Sequence, residues 1–316
     1  MMPLRMLVLS PTGDCNLACR YCYASDQDRS TMTWDTARRA IDLAAESGVP
    51  FILQLSGGEP LLALPLLVQI ADYVRGNRIR ARMDIQTNGT LISDEAADVL
   101  CDAGIGVGVS LDGRPDVHDA LRRFPDGRGT SSAVITGIQR LTARGKEIGL
   151  TTVVTAENVA ALPGVIEMAY YLGNVRIVGF DLLRGQGRGV SVRPAREEDV
   201  ALAMERVFAL CRKLECITGR HILIAQAEQA SCLAQRTDDG FSHCHAMSGA
   251  GIHVDALGRI YACSSFVGDA RFLLGDVEHG IDVRRQAKVA HKMQDAMAFC
   301  RACADFAGCG GACYAR

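Results

Sequence analysis

Six short β-rich runs, each followed by a segment of helical period, fill the first two thirds of the chain, and this alternation admits few folds. The runs are residues 5–10 (RMLVLS), 51–56 (FILQLS), 83–87 (MDIQT), 105–111 (IGVGVSL), 150–155 (LTTVVT) and 175–183 (VRIVGFDLL). The spacing predicts helices over 33–47, 64–75, 93–102, 131–144, 160–172 and 195–218. Thr33 and Ser93 suit helix starts, with Asp94 and Glu95 placed for the positive end of the macrodipole. Gly48, Gly76, Gly104 and Gly145 suit left-handed helix stops. Parallel strands joined by right-handed crossovers, six in number, predict an α/β fold of the partial (β/α)6 TIM type, with its chemistry at the C-terminal ends of the strands.

After about residue 220 the helical period fades, and 243–316 holds six cysteines among glycines and turns. The expected division is a barrel over 1–218, a connector over 219–240 and a metal-organised domain over 241–316. Apolar residues at 48% and charged residues at 22% describe a chain able to bury a core. A net charge of -2 argues against nucleic acid as a partner. The N-terminus MMPLRMLVLS lacks the apolar length of a signal peptide, and LLALPLLVQI is broken by Pro65 and too short for a bilayer, so a cytoplasmic protein without membrane attachment is expected. Thirteen cysteines without an export signal fit metal ligation better than disulfides, since an odd count leaves one unpaired and the cytosol keeps thiols reduced.

The first expected strand runs into SPTGDCNLACRYCYAS, which sets Cys15, Cys19 and Cys22 in Cys-x3-Cys-x2-Cys spacing. Iron-sulfur clusters take cysteine thiolates, usually four per 4Fe-4S unit, so three protein ligands leave one iron open to a substrate or cofactor. Core cysteines or a zinc site are the alternative reading. LSGGEPLL follows the second strand: Gly57 and Gly58 allow a close backbone approach, and Glu59 can accept a charge-assisted bond from an ammonium. QTNGTL and SLDGRPDVHDALRR bring Thr87, Asn88 and Ser110 to the same end, and the Arg122 guanidinium suits a carboxylate. His118 reads as structural, and RGQGRG (184–189) as a flexible loop or a bare-amide approach to a ligand. Near the end, Cys244 and Cys263 precede Cys300-x2-Cys303-x5-Cys309-x3-Cys313, whose single Cys-x2-Cys fits a zinc ribbon poorly. Cys101, Cys211 and Cys216 read as buried apolar residues in helices.

The Cys-x3-Cys-x2-Cys loop after the first strand, with Tyr21 before its third cysteine, resembles the radical S-adenosylmethionine (radical SAM) superfamily, and the C-terminal cysteines resemble its SPASM extension. The resemblance implies a cluster on Cys15, Cys19 and Cys22 whose open iron is chelated by S-adenosylmethionine. An electron from that cluster then releases a 5'-deoxyadenosyl radical that takes a substrate hydrogen. It further implies a cofactor pocket of Tyr21, Gly57, Gly58, Glu59, Asn88, Ser110 and Arg122. In it the Gly-Gly-Glu turn receives the methionyl amino group, Ser110 lies near the ribose or carboxylate, and Arg122 pairs with the carboxylate. For the extension it implies two auxiliary 4Fe-4S clusters, one on Cys244, Cys263 and Cys313 and one on Cys300, Cys303 and Cys309. A seventh cysteine would lie past Arg316, and Cys232, His243 and His245 are candidate fourth ligands. The implied substrate is a peptide or protein residue, with a small-molecule dehydrogenase or cofactor-biosynthesis enzyme as the alternative and a non-catalytic metal scaffold as a third reading. An electron donor such as flavodoxin or ferredoxin is an expected partner, and with no obvious N-terminal peptide-recognition domain a precursor is expected to be read by the barrel mouth, by the C-terminal domain or by a separate precursor-recognition protein.

Overall fold

The computed structural model describes residues 3–235, 241 and 244–315. In chain order, β1 (Met6–Thr12) and α1 (Trp34–Ala45) are followed by β2 (Phe51–Gly57), α2 (Leu64–Gly76), β3 (Ala81–Thr87) and α3 (Asp94–Asp102). β4 (Gly106–Ser110) leads to α4 (Pro115–Leu121) and α5 (Ser131–Ala143), then β5 (Ile148–Val154), α6 (Pro163–Leu172), β6 (Val175–Leu182) and α7 (Glu197–Thr218). β1 to β6 pair in sequence order and all in parallel, the expected partial (β/α)6 barrel.

The two faces of this sheet differ as their side chains require. Leu9, Leu55, Ile85 and Val107 stand in one register row, fully or almost fully buried under the helices. The concave face carries Val8, Gln54, Asp84 and Gly106 in the alternate row, and Gln86, Gly108 and Gly149 in the next. Glycine matters at 108, where a Cβ would stand 2.5 Å from Gln86 Oε1; its absence lets Gln86 lie across the sheet and donate to Ser110 Oγ at 3.1 Å.

Local chemistry sets the helix ends. Thr33 Oγ1 accepts from Thr36 N at 3.2 Å and Ser93 Oγ from Ala96 N at 3.1 Å, which satisfies orphan first-turn donors. Gly48, Gly104 and Gly145 adopt φ of 67°, 64° and 66°, as expected of stops. Gly76 does not: it is the last residue of α2, Asn77 Nδ2 caps Tyr73 O at 3.0 Å, and Arg78 takes the positive φ. α6 begins at Pro163, after a 3-10 turn over Val159–Ala161, and α4 is a short helix beyond those the spacing predicts, started by Pro115 at its first position.

The stretch 219–240 was expected to be a connector, and its described part is built into the fold. β7 (Leu223–Ile224) adds to β6, and α8 (Ala225–Ala234) follows, because Ile222, Ile224 and Leu233 are apolar and buried. β8 (Gly251–Val254) then runs parallel to β1 on its free edge, and β9 (Arg259–Tyr261), β10 (Leu273–Asp276) and β11 (Gly280–Ile281) continue as an antiparallel meander. The order is β11-β10-β9-β8-β1-β2-β3-β4-β5-β6-β7 among the described residues, so the C-terminal part covers the exposed edge of β1 with its own strand. Ile252, Val254, Ile260 and Phe272 share one apolar core with Leu7 and Leu9. α9 (Val283–Ala296), capped by Asp282, packs Val289 and Met293 into that core, and the short α10 (Phe306–Cys309) follows. No helix among the described residues is long and apolar enough to cross a membrane.

Candidate active site

The loop after β1 is held from four sides. From the β2 turn, Gly58 N donates to Thr12 O at 3.0 Å and Glu59 N to Asp14 O at 2.8 Å. From the end of β3, Asn88 Nδ2 donates to Asn16 Oδ1 at 2.9 Å. The chain leaving α4 accepts Ala18 N at Arg123 O (2.7 Å) and Arg20 N at Leu121 O (2.9 Å). From the β6 loop, Arg188 donates through Nε to Cys19 O at 2.7 Å and through its backbone N to Cys22 O at 3.0 Å. RGQGRG is therefore a brace: a Cβ at Gly187 would stand 2.5 Å from Cys22 O, which explains the glycine there.

Gly58 seals the opposite side, where a Cβ would stand 2.0 Å from Asp14 O. Gly58→Ala is expected to push the cysteine loop off the β2 turn at a cost of about 1–3 kcal/mol, read as a lowered urea midpoint with unchanged slope.

Cys15, Cys19 and Cys22 are free thiols, Cys19 buried and the other two half-buried. Burial pushes the Cys15 thiol up to about 12; Leu17 N, donating to its Sγ at 3.4 Å, opposes this, and Glu59 and the neighbouring Cys19 and Cys22 add to it. A thiol in that environment ionises only beside a strong cation, and a bound metal centre is such a cation. Among the described residues no three His, Cys, Asp or Glu side chains stand close enough to hold one metal ion. Cubane thiolates each bind a different iron and stand wider apart, so the donor set, three free thiols at the strand mouth, fits a cluster.

The flanking residues take roles the sequence did not show. The Glu59 carboxylate, expected to meet an ammonium, is fully buried and already holds three donors of this chain: Thr87 Oγ1 (2.6 Å) and Leu61 N (3.1 Å) on Oε1, and Asn88 N (2.7 Å) on Oε2. It ties β2 to β3. Asn88, expected in the cofactor pocket, braces Asn16 and lies 3.9 Å from Cys15 Sγ through Nδ2. Arg122, expected to meet a carboxylate of the cofactor, is buried and pairs through Nε with Asp112 Oδ2 at 3.0 Å. Tyr21 donates its phenol to the same Asp112 oxygen, and its ring lies 5.2 Å from the Arg122 guanidinium. Ser110 stands at the end of β4 facing Gln86, as its place at the mouth predicts.

His118 is structural. Its Nδ1 accepts from Asp112 N at 3.2 Å, so Nε2 carries the proton and donates to Thr130 Oγ1 at 2.9 Å, which donates to Arg122 O at 3.1 Å. Burial holds it neutral, its pKa lowered to about 4.

In the C-terminal part, burial raises the Cys244 thiol, the Met247 backbone opposes this, and the charges of Cys263 and Cys313 add to it. Cys300 is buried and accepts from Ala312 N at 3.4 Å, while Cys303 and Cys309 are exposed. Of the candidate fourth ligands, Cys232 is exposed on α8, the His245 carbonyl accepts from Gly251 N at 2.8 Å, and His243 lies outside the described residues. Cys211 is buried as expected, Cys101 is half-buried, and Cys216 is exposed, contrary to expectation, on the solvent side of α7.

Tyr23 was missed. Its ring carries the Arg184 guanidinium at 4.4 Å; burial raises the phenol, Arg184 opposes that, and Cys263 and Cys22 both add to it. Arg184 also donates through Nη1 to Ser265 Oγ at 2.9 Å, and Gln27 Nε2 donates to Ser264 O at 3.2 Å, so the segment after Cys22 meets the segment after Cys263 beside Tyr23. A cavity of about 300 Å³ opens beside it, lined also by Gln27, Gln186, Ser265 and Phe266.

The model of the radical SAM superfamily matches residues 9–169. The chain belongs to the radical SAM superfamily. An uncharacterized protein of Methanocaldococcus jannaschii, MJ0907, is 31% identical over 84% of this chain and 86% of its own length. Fe-coproporphyrin III synthase of Methanosarcina barkeri is 31% identical over 66% of this chain and 52% of its own. The serine-type anaerobic sulfatase-maturating enzyme of Klebsiella aerogenes is 28% identical over 86% of this chain and 69% of its own. Among solved structures, anSMEcpe with bound AdoMet and a Cp18Cys peptide superposes with a TM-score of 0.82 at 20% identity, covering 99% of this chain and 90% of that one. SuiB of Streptococcus suis bound to precursor peptide SuiA gives 0.72 at 15% identity, over 99% and 72%. The two structural likenesses cover the C-terminal strands as well as the barrel, and so place the whole chain in one shared fold.

Proposed function

We propose that this radical SAM enzyme modifies a residue of a peptide or protein, with Cys15, Cys19 and Cys22 holding the 4Fe-4S cluster to which S-adenosylmethionine binds. The reduced cluster and S-adenosylmethionine together supply a 5'-deoxyadenosyl radical that removes a substrate hydrogen. The chain's own residues bind, orient and shield. Gly57 and Gly58 bring bare backbone to the mouth for the methionyl ammonium, and Ser110 faces the same space. Glu59, Asn88 and Arg188 hold the cysteine loop in place around them.

The observation that carries the peptide reading is the junction at Tyr23, where the segment after Cys22 and the segment after Cys263 meet beside an open cavity. Cys244, Cys263 and Cys313 would hold one auxiliary 4Fe-4S cluster there, and Cys300, Cys303 and Cys309 a second. Beside the Arg82-paired Asp84, the concave sheet face offers the amides and hydroxyls of Gln54, Gln86, Ser110 and Thr151, which can hydrogen-bond peptide groups. The reductant would be a small donor such as flavodoxin or ferredoxin, and a separate protein would present the precursor.

A second reading has its own support: the Fe-coproporphyrin III synthase relative is 31% identical over 66% of this chain, so a small-molecule substrate is the alternative. The test is anaerobic incubation of the reconstituted enzyme with S-adenosylmethionine, a reductant, and either Cys- and Ser-containing peptides or iron coproporphyrin III. Peptide-dependent 5'-deoxyadenosine together with a mass change in the peptide is the expected result. Turnover with the porphyrin alone would replace the reading.

A further inference from the structure

Arg122 and Asp112 form an ion pair whose side chains are 9% and 0% exposed. Removing two charges from water costs several kcal/mol that attraction alone rarely recovers, so a buried pair of this kind asks for a reason other than stability. The pair has a defined orientation. Asp112 is fixed by Val153 N on Oδ1 (3.1 Å) and by the Tyr21 phenol on Oδ2. Arg122 is fixed at its backbone by Thr130 and at its side chain by the Tyr21 ring. With the carboxylate held behind, the guanidinium points forward, and Nη1 stands 4.0 Å from Cys19 Sγ.

A cation on that side of a cluster ligand stabilises the more negative, reduced state, and hydrogen bonds toward ligating sulfurs act in the same sense. The carboxylate behind it offsets part of that field. We propose that the Asp112–Arg122 pair, set by Tyr21, is a positioning element that fixes the reduction potential of the cluster held by Cys19. This inference rests on the function proposed above.

The test is a potentiometric titration of the anaerobically reconstituted full chain, followed by electron paramagnetic resonance. The signal that responds to added S-adenosylmethionine identifies the cluster. Arg122→Gln is expected to lower the reduced fraction at a given potential by about tenfold, ~59 mV for a one-electron couple. Asp112→Asn is expected to raise it by a similar factor, and Arg122→Lys, which keeps the charge, to stay within about threefold of the parent. Opposite shifts support the proposal; parallel shifts, or unmoved midpoints with a full signal, overturn it. Should both buried replacements fail to fold, Tyr21→Phe keeps both charges and removes only the proton shared with Asp112. It should lower the reduced fraction by about threefold, and an unmoved midpoint there overturns the proposal. A parent protein without any S-adenosylmethionine-responsive signal would overturn the functional reading itself, a separate failure.

Discussion

Cys15→Ala, Cys19→Ala and Cys22→Ala are each expected to bring 5'-deoxyadenosine formation to background while leaving the fold in place. On the proposed function the loss is complete, because each thiol would supply one of three protein ligands, and two thiols do not hold a cubane with a single open iron. The fold survives because the loop does not depend on its sulfurs for its shape. Backbone bonds from Gly58, Glu59, Ala18, Arg20 and Arg188 hold it, and none of them uses a cysteine side chain. Cys15 and Cys22 are only half-buried, so their truncation leaves small cavities at most. The check is liquid chromatography of reaction mixtures beside a urea titration. Midpoints within about 1 kcal/mol of the parent with no product are the expected pair of results. Retained cleavage of S-adenosylmethionine in any one variant would remove the basis of the proposed function.

The barrel was legible in the sequence because parallel strands joined by helices impose two periods that a single chain cannot hide. Strand boundaries over β1 to β6 agree with expectation to within two residues, and Thr33 and Ser93 cap where their chemistry directs. The C-terminal strands were not legible. β8 is buried along its whole length and so shows no alternation, and β9 and β11 are too short to show any period. That β8 adds to β1 follows from an edge left open at the start of the barrel, a property of the assembled sheet and not of either segment.

The site followed the same division. Residue types and their spacing exposed the cysteines, since three thiols in eight residues have few other uses. Partner choice was hidden. Arg122 could have met any acid, and the structure selects Asp112, which the turn after β4 places behind it. Glu59 looked outward in the sequence because its donors, Thr87 and Asn88, come from the next strand and reach it only once β2 and β3 pair. Tyr23 and Arg184 lie 161 residues apart and carried no local signal at all.

Glu59→Ala is expected to destabilise the protein more at pH 5 than at pH 8. The substitution orphans Thr87 Oγ1, Leu61 N and Asn88 N in a site closed to water, at about 1–3 kcal/mol for each donor left without a partner. Against this stands the cost of the buried charge itself. Burial pushes the Glu59 carboxyl up from 4.5 to about 7, even with its hydrogen bonds opposing. A folded-state value above the unfolded one means that the folded protein binds the extra proton, so the contribution of Glu59 is full below 4.5 and is lost as pH rises through about 7. That interval corresponds to ~3 kcal/mol, and no solvent screening reduces it at a fully buried site. The alanine variant lacks the group and therefore lacks this slope. Two buried histidines work in the other direction. His118 and His253, lowered by burial to about 4 and about 3, favour the unfolded state as pH falls below 6.5, so the parent curve alone is ambiguous. Both histidines are present in parent and variant, and the difference between the two urea curves isolates Glu59. Glu59→Gln sharpens the test, because its one oxygen can keep Thr87 and Leu61 while its amide faces Asn88 N, donor against donor. It should cost about 1–3 kcal/mol and, with no proton to bind, differ from the parent with the same pH dependence as alanine, more at pH 5 than at pH 8. A difference that stays level from pH 5 to 8 would mean that Glu59 is held ionised throughout, with its three donors outweighing burial.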